Sequence, residues 1–163
     1  MNLDYIKGND KRLFSEAEKF DFTNPPVDPY ELQKEMLKCM VRDNLISVNG
    51  NQFGLPYHIF CLASSPNLVF FNSVIVYGSE NLISLEETCY NIPKLIVKVK
   101  RPEEVRVRYQ TASSGKESKT FNGLSSRLIQ HNIDFLEGRK FFDNCNFYHR
   151  EKAKKIIAKI GRE

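Results

Sequence analysis

The sequence predicts an α+β fold. Short apolar and β-branched runs are grouped between Tyr57 and Tyr109, one helical segment precedes them, and helical segments follow them. A Pro-rich stretch, Asn24-Pro25-Pro26-Val27-Asp28-Pro29, separates this body from the N-terminal residues. With 163 residues the chain reads as one domain, 1–163, long enough to bury a core.

Residues 1–29 read as an extended, turn-rich arm, because the proline run suits neither regular helix nor central strand. Tyr30 to Met40 reads as a helix: Leu32, Met36, Leu37 and Met40 fall near helical spacing, and Asp28-Pro29 is a start signal. Val41 to Asn51 is a loop or short strand with a turn at Asn49-Gly50. Tyr57 to Ala63 and Leu68 to Phe71 are apolar and aromatic, as buried strands are. Ile75 to Tyr77, Leu82 to Leu85 and Leu95 to Val99 follow as further strands. Val105 to Tyr109 alternates strictly and predicts a half-buried strand. Ala112 to Lys119 is small and polar, with a turn at Ser114-Gly115. Leu124 to Leu136 has helical spacing, and Gly138 is placed to stop that helix. The last helix is predicted from about His149 to Ile160.

Composition narrows the functional classes. No run of about 18 apolar residues exists, so no membrane span is expected. The polar N-terminus, Met1 to Lys19, argues against a secretory signal. Cys39, Cys61, Cys89 and Cys145 lack C-x-x-C spacing and read as reduced thiols in a cytoplasmic protein. Abundant Asn, Lys, Phe and Ile with no Trp fits an A/T-rich genome, such as that of many phages. The net charge of +4 resides wholly in residues 147–163, where six basic residues face two acidic ones. There Ala153, Ile156, Ile157 and Ile160 form an apolar stripe, with Lys152, Lys154, Lys155 and Lys159 on the other faces. Nothing in the spacing marks a base-specific reader of nucleic acid, and basic–aromatic interleaving along the strands is absent.

Three motifs remain. The first is Leu45-Ile46-Ser47-Val48-Asn49-Gly50-Asn51-Gln52. The second is Glu87-Thr88-Cys89-Tyr90-Asn91-Ile92-Pro93. The third is Gln130-His131-Asn132-Ile133-Asp134-Phe135-Leu136-Glu137-Gly138. Their order and content resemble the peptide deformylase family, whose motifs read Gly-x-Gly-x-Ala-Ala-x-Gln, Glu-Gly-Cys-Leu-Ser and Gln-His-Glu-x-Asp-His-Leu-x-Gly. Arg101-Pro102, the alternating strand, Gly115 and Gly138-x-x-Phe141-Phe142-Asp143 extend the likeness to nearly the whole chain.

The resemblance implies a metallohydrolase fold with short mixed or antiparallel strands around a central motif helix, and a C-terminal helix. It implies a divalent metal held by one Cys and two His, a Glu general base and an oxyanion-binding Gln. Cys89 and His131 match two ligands, and Gln52 matches the oxyanion amide. Asn132 stands where the general base belongs, and Phe135 stands at the third ligand. Neither side chain can do that chemistry. The expectation is therefore a deformylase-like pseudoenzyme with no metal cofactor. If active it needs one divalent iron, nickel or zinc and another third ligand, for which Asp134, His58, His149 and Glu87 are candidates. The resemblance also implies ribosome binding near the nascent-chain exit, through Arg150, Lys152, Lys154, Lys155 and Lys159. A bare peptide-binding module, using a groove around Gln52 and Leu124 to hold a nascent N-terminal peptide, is the third reading.

Overall fold

The computed structural model describes residues 1–162. Helix α1 spans Pro29–Arg42. The Asp28 side chain caps it, accepting from the backbone N–H groups of Tyr30 (2.8 Å) and Glu31 (3.1 Å). Pro29 sits in the first turn, where its missing N–H costs nothing. Strand β1, Ser47–Asn49, leads into a 3₁₀ turn, Gly50–Phe53. The predicted turn at Asn49-Gly50 is thus the entry to a capped 3₁₀ turn. Asn49 Oδ1 accepts from the Gln52 N–H, and Gln52 Oε1 accepts from the Asn49 N–H.

Strands β2 (Ile59–Leu62), β3 (Leu68–Gly78), β6 (Glu104–Gln110) and β7 (Lys116–Asn122) join β1 in one antiparallel sheet of order β1-β2-β3-β6-β7. Strands β4 (Leu82–Cys89) and β5 (Ile92–Pro102) form a separate hairpin. Helix α2 is Gly123–Leu136 and helix α3 is Phe147–Ile160. The α+β class expected from the sequence is observed.

Several boundaries differ from the predicted ones. Leu68 to Phe71 and Ile75 to Tyr77 belong to one strand. Asn72 (φ 50°) breaks the regular pairing with β6, and its side chain bonds Phe20 and Gln110, so the strand bends without ending. Strand β7 occupies residues read as a polar turn. It lies at the sheet edge with most of its side chains in water, so its composition carries no apolar alternation. Strand β5 extends past both ends of Leu95 to Val99, because the outward Lys94, Lys98 and Lys100 alternate with buried residues. Helix α3 begins at Phe147, where Asn146 Oδ1 accepts from the His149 N–H at 2.9 Å.

Helix α2 packs Ile129, Ile133 and Leu136 against Phe60, Phe70, Val105 and Val107 of the large sheet. Each such burial contributes about 1.5–3 kcal/mol relative to exposure. On another side, Leu95, Val97 and Val99 of β5 meet Phe135, Phe141, Phe142 and Ala153. Gly138 stops α2 at φ 71°, and a Cβ there would lie 3.0 Å from the backbone nitrogen of Glu16. No helix among the described residues is long and apolar enough to cross a membrane, and all four cysteines are unpaired.

His58, just before β2, is buried with its Nδ1 unpartnered. Burial lowers its pKa to about 4, and the charge of Lys19 adds to this. The unfolded chain therefore takes up this proton first as pH falls. Stability contributed by neutral His58 is full above about pH 6.5 and falls by roughly 3 kcal/mol as pH drops to about 4. Urea unfolding of His58→Phe across this range is expected to show a shallower acid loss than the parent.

Candidate functional site

Three segments converge. Helix α2 brings Arg127, His131, Asn132 and Phe135. The end of β4 brings Glu87 and Cys89. The 3₁₀ turn after β1 brings Gln52. Gln52, Cys89, His131 and Asn132 line one pocket of about 180 Å³. Sequence-distant motifs thus meet around a common space, with Leu124 at its rim.

Beneath the pocket lies a buried charge cluster centred on Glu87. Its Oε1 accepts from Arg101 Nε and from Arg127 Nη1 (2.9 Å). Its Oε2 accepts from Arg101 Nη2 (2.9 Å) and contacts His131 Nδ1 at 2.8 Å. Burial alone would raise the Glu87 pKa, but the bonds from Arg101 and His131 and their charges hold it down to about 2. Arg127 and His131 are four residues apart on α2, so one helix face presents both to the carboxylate. Arg127 also donates to the carbonyls of Val99 (3.0 Å) and Ile83. Arg101 Nη1 reaches Asp134 Oδ2 at 2.8 Å, and Arg139 Nε reaches Asp134 Oδ1 at 3.2 Å.

A chain of carboxamides holds Gln52 and Asn132 at the pocket. Asn132 Oδ1 accepts from Asn49 Nδ2 (2.9 Å), and Asn132 Nδ2 donates to the Leu128 carbonyl (2.8 Å). Gln52 Nε2 donates to Asn91 Oδ1 (3.0 Å). Asn91 Nδ2 in turn donates to the carbonyls of Ile6 (2.8 Å) and Gln52 (3.0 Å). Asn132 at the general-base position is tied into the framework through both ends of its amide. A carboxamide does not titrate, so it cannot take a proton from water.

Phe135 is buried and points into an aromatic cluster. It stacks on Phe14 (5.2 Å, 17°) and Phe141 (5.6 Å, 26°), and its ring lies 5.2 Å from His131. It does not line the pocket, which stays open beside it. Cys89 is buried, and burial pushes its thiol up to about 12.

The donor set does not fit a catalytic metal. Such sites use three protein ligands with an open position. Cys89 and His131 supply two. Glu87 and Asp134 are committed to arginines, and His58 and His149 do not line the pocket. Among the described residues no group of three His, Cys, Asp or Glu side chains is placed to hold an ion.

Sequence reasoning missed Arg127, Asn49 and Asn91. Arg127 carried one signal, a charge four residues before His131 on the same helix face. Asn49 carried the local Asn-x-x-Gln pattern that pairs it with Gln52, but nothing pointed to its bond with Asn132, and Asn91 bonds Gln52 and Ile6, both distant in sequence. The basic residues Arg150, Lys152, Lys154, Lys155 and Lys159 all lie on α3, away from this pocket, with the four lysines exposed.

Comparison with known proteins places these features in context. A family model described as polypeptide deformylase matches residues 3–151. A peptide deformylase of Pseudothermotoga lettingae is 30% identical over 132 residues, covering 81% of this chain and 77% of the relative. One from Karelsulcia muelleri is 35% identical over 121 residues, covering 69% and 63%. A Synechococcus elongatus peptide deformylase, crystallised with actinonin, superposes with a TM-score of 0.85 at 26% identity, over 96% of this chain and 86% of that one. A plant peptide deformylase shares the fold with a TM-score of 0.88 at 22% identity, covering 97% and 88%.

Two outcomes follow from this geometry. Replacing Phe135 by His adds a donor one turn from His131, at a packing cost of about 1–3 kcal/mol. Zinc is expected to raise the melting temperature of Phe135→His and to leave that of the parent unchanged. Glu87→Gln leaves Arg127 buried without a counter-charge and Arg101 with Asp134 alone. Urea denaturation at neutral pH is expected to show a loss of about 3–5 kcal/mol.

Proposed function

Because this chain belongs to the polypeptide deformylase family, we propose that it is a member whose hydrolytic centre has become structural and that acts by binding. The carrying observation is the fate of two positions. Asn132 is bonded within the framework, and Phe135 is stacked inside an aromatic cluster. Loss of a general base alone costs about 10²–10⁴-fold in rate. Loss of a ligand as well removes the means of activating water, so the two losses act on one step.

The proposed partner is the ribosome, met through α3 in the cytoplasm. Helix α3 holds the whole net charge of the chain, and its apolar stripe packs against the core through buried Ala153 and partly buried Ile156, Ile157 and Ile160, leaving the lysines outward. A lysine row suits a polyanion such as ribosomal RNA. Bound there, the protein would occupy or modulate the place where nascent N-termini are first processed.

One observation favours a second reading. Gln52, Cys89 and His131 still face a single open pocket. Under it the protein is a divergent deformylase using iron, nickel or zinc, with a third ligand from outside this chain's recognised set. The same pocket could hold a nascent N-terminal peptide without chemistry.

Formate release from a formyl-methionyl peptide, assayed without oxygen and with each ion in turn, separates these readings. Turnover at background with all three ions is expected; metal-dependent turnover would transfer the assignment to the second reading. Ribosome co-sedimentation at physiological salt is expected to weaken by about 10-fold or more when Lys152, Lys155 and Lys159 are all changed to Glu. Unchanged sedimentation would remove the ribosome from the proposal.

A further inference from the structure

The start of β5 and the end of α3 enclose a second cleft, distinct from the pocket at Cys89. Ile92, Pro93, Lys94, Ile156, Lys159 and Ile160 line it, and its volume is about 260 Å³. Four of these residues are apolar and both others are lysines. Lys155 and Lys152 lie one and two helical turns back from Lys159, so the positive row continues along α3 beyond the cleft. Among the described residues no carboxylate pairs with Lys94, Lys155 or Lys159, whereas Lys154 is bonded to Glu151 at 2.9 Å.

An apolar floor with a cationic rim selects a ligand carrying both features. A bare phosphate backbone would satisfy the lysines and leave the isoleucines wet. A neutral apolar ligand would leave the ammonium groups unmatched. Pockets for drug-sized ligands run from about 300 to 1,000 Å³, so this cleft suits a single anchoring side chain. Protein interfaces concentrate their energy in such anchors, with a charged rim that sets orientation.

We propose that this cleft seats one large apolar side chain of an acidic polypeptide segment, with Lys94, Lys155 and Lys159 meeting its flanking carboxylates. The inference rests on the reading of α3 as a binding helix and assigns its partner to protein rather than to nucleic acid alone.

The test uses the full chain and fluorescence anisotropy. The probes are a labelled Glu/Gly peptide with one central Phe, the same peptide with Ala in its place, and an RNA hairpin. The Phe peptide is expected to bind at least about 10-fold more tightly than the Ala peptide. Ile156→Glu is expected to erase that ratio, and Lys94→Glu and Lys159→Glu to weaken both peptides. Should Ile156→Glu fail to fold, amide chemical shifts of the parent replace it, with the largest changes expected at Lys94, Ile156 and Lys159. Equal binding of the two peptides, or shifts confined elsewhere, overturns the proposal, and tight RNA binding beside it would mark the row as a plain polyanion patch. Ribosome sedimentation separates the two proposals. Phe-dependent peptide binding without ribosome binding sinks the ribosome and keeps the cleft, and the reverse pattern does the opposite.

Discussion

Glu87 is the constraint on which the centre of this molecule depends. One buried carboxylate receives two arginines and a histidine, from β5 and from α2, while itself standing on β4. A charge out of water is costly unless paired and hydrogen-bonded on all sides. The cluster meets that condition, because Asp134 balances the second arginine. Helix α2 is thereby held at a fixed height and rotation against the β4–β5 hairpin. Arg127, His131 and Asn132 take their places over the hairpin from that docking.

The same scaffold can hold a reactive centre or an inert one, and local replacements choose between them. His131 keeps its Nδ1 on Glu87, an orientation that would leave the other ring nitrogen for a metal. What is missing lies one and four residues further along the helix. Asn132 is drawn into hydrogen bonds with Asn49 and the Leu128 carbonyl, and Phe135 adds its ring to Phe14 and Phe141. Both side chains are thus held within the framework of the pocket.

Helix α3 shows a similar division between framework and surface. Ala153 is fully buried, and Ile156, Ile157 and Ile160 pack against the core formed with β5. That packing fixes the helix and turns its lysines outward. It also leaves a cleft at the seam with β5, where partly buried isoleucines meet solvent between two lysines. A docked amphipathic helix presents its charged face whether or not a partner exists. The cleft adds an apolar point to this charged face.

Much was determined by the sequence itself. Apolar periodicity placed α1, α2 and the core strands, Gly138 marked the end of α2, and the resemblance of three motifs to a known family implied that Cys89, His131 and Gln52 share one site. The residue types at 132 and 135 excluded a titratable base and a third ligand there, since neither amide nor phenyl can do that chemistry. The tertiary structure decided the rest. It made β3 one strand through a bulge at Asn72, and it made an edge strand of the polar segment 116–122. It gathered Arg101, Arg127 and Asp134 around Glu87, and it linked Asn49, Gln52, Asn91 and Asn132 into one chain of amides. Periodicity reports burial along a single element, whereas these bonds, the local Asn49–Gln52 pair apart, join side chains separated by 14 to 83 residues. Only the docking of α2 on the hairpin and the 3₁₀ turn brings them within reach, and no local pattern encodes which distant partner a buried polar group will meet.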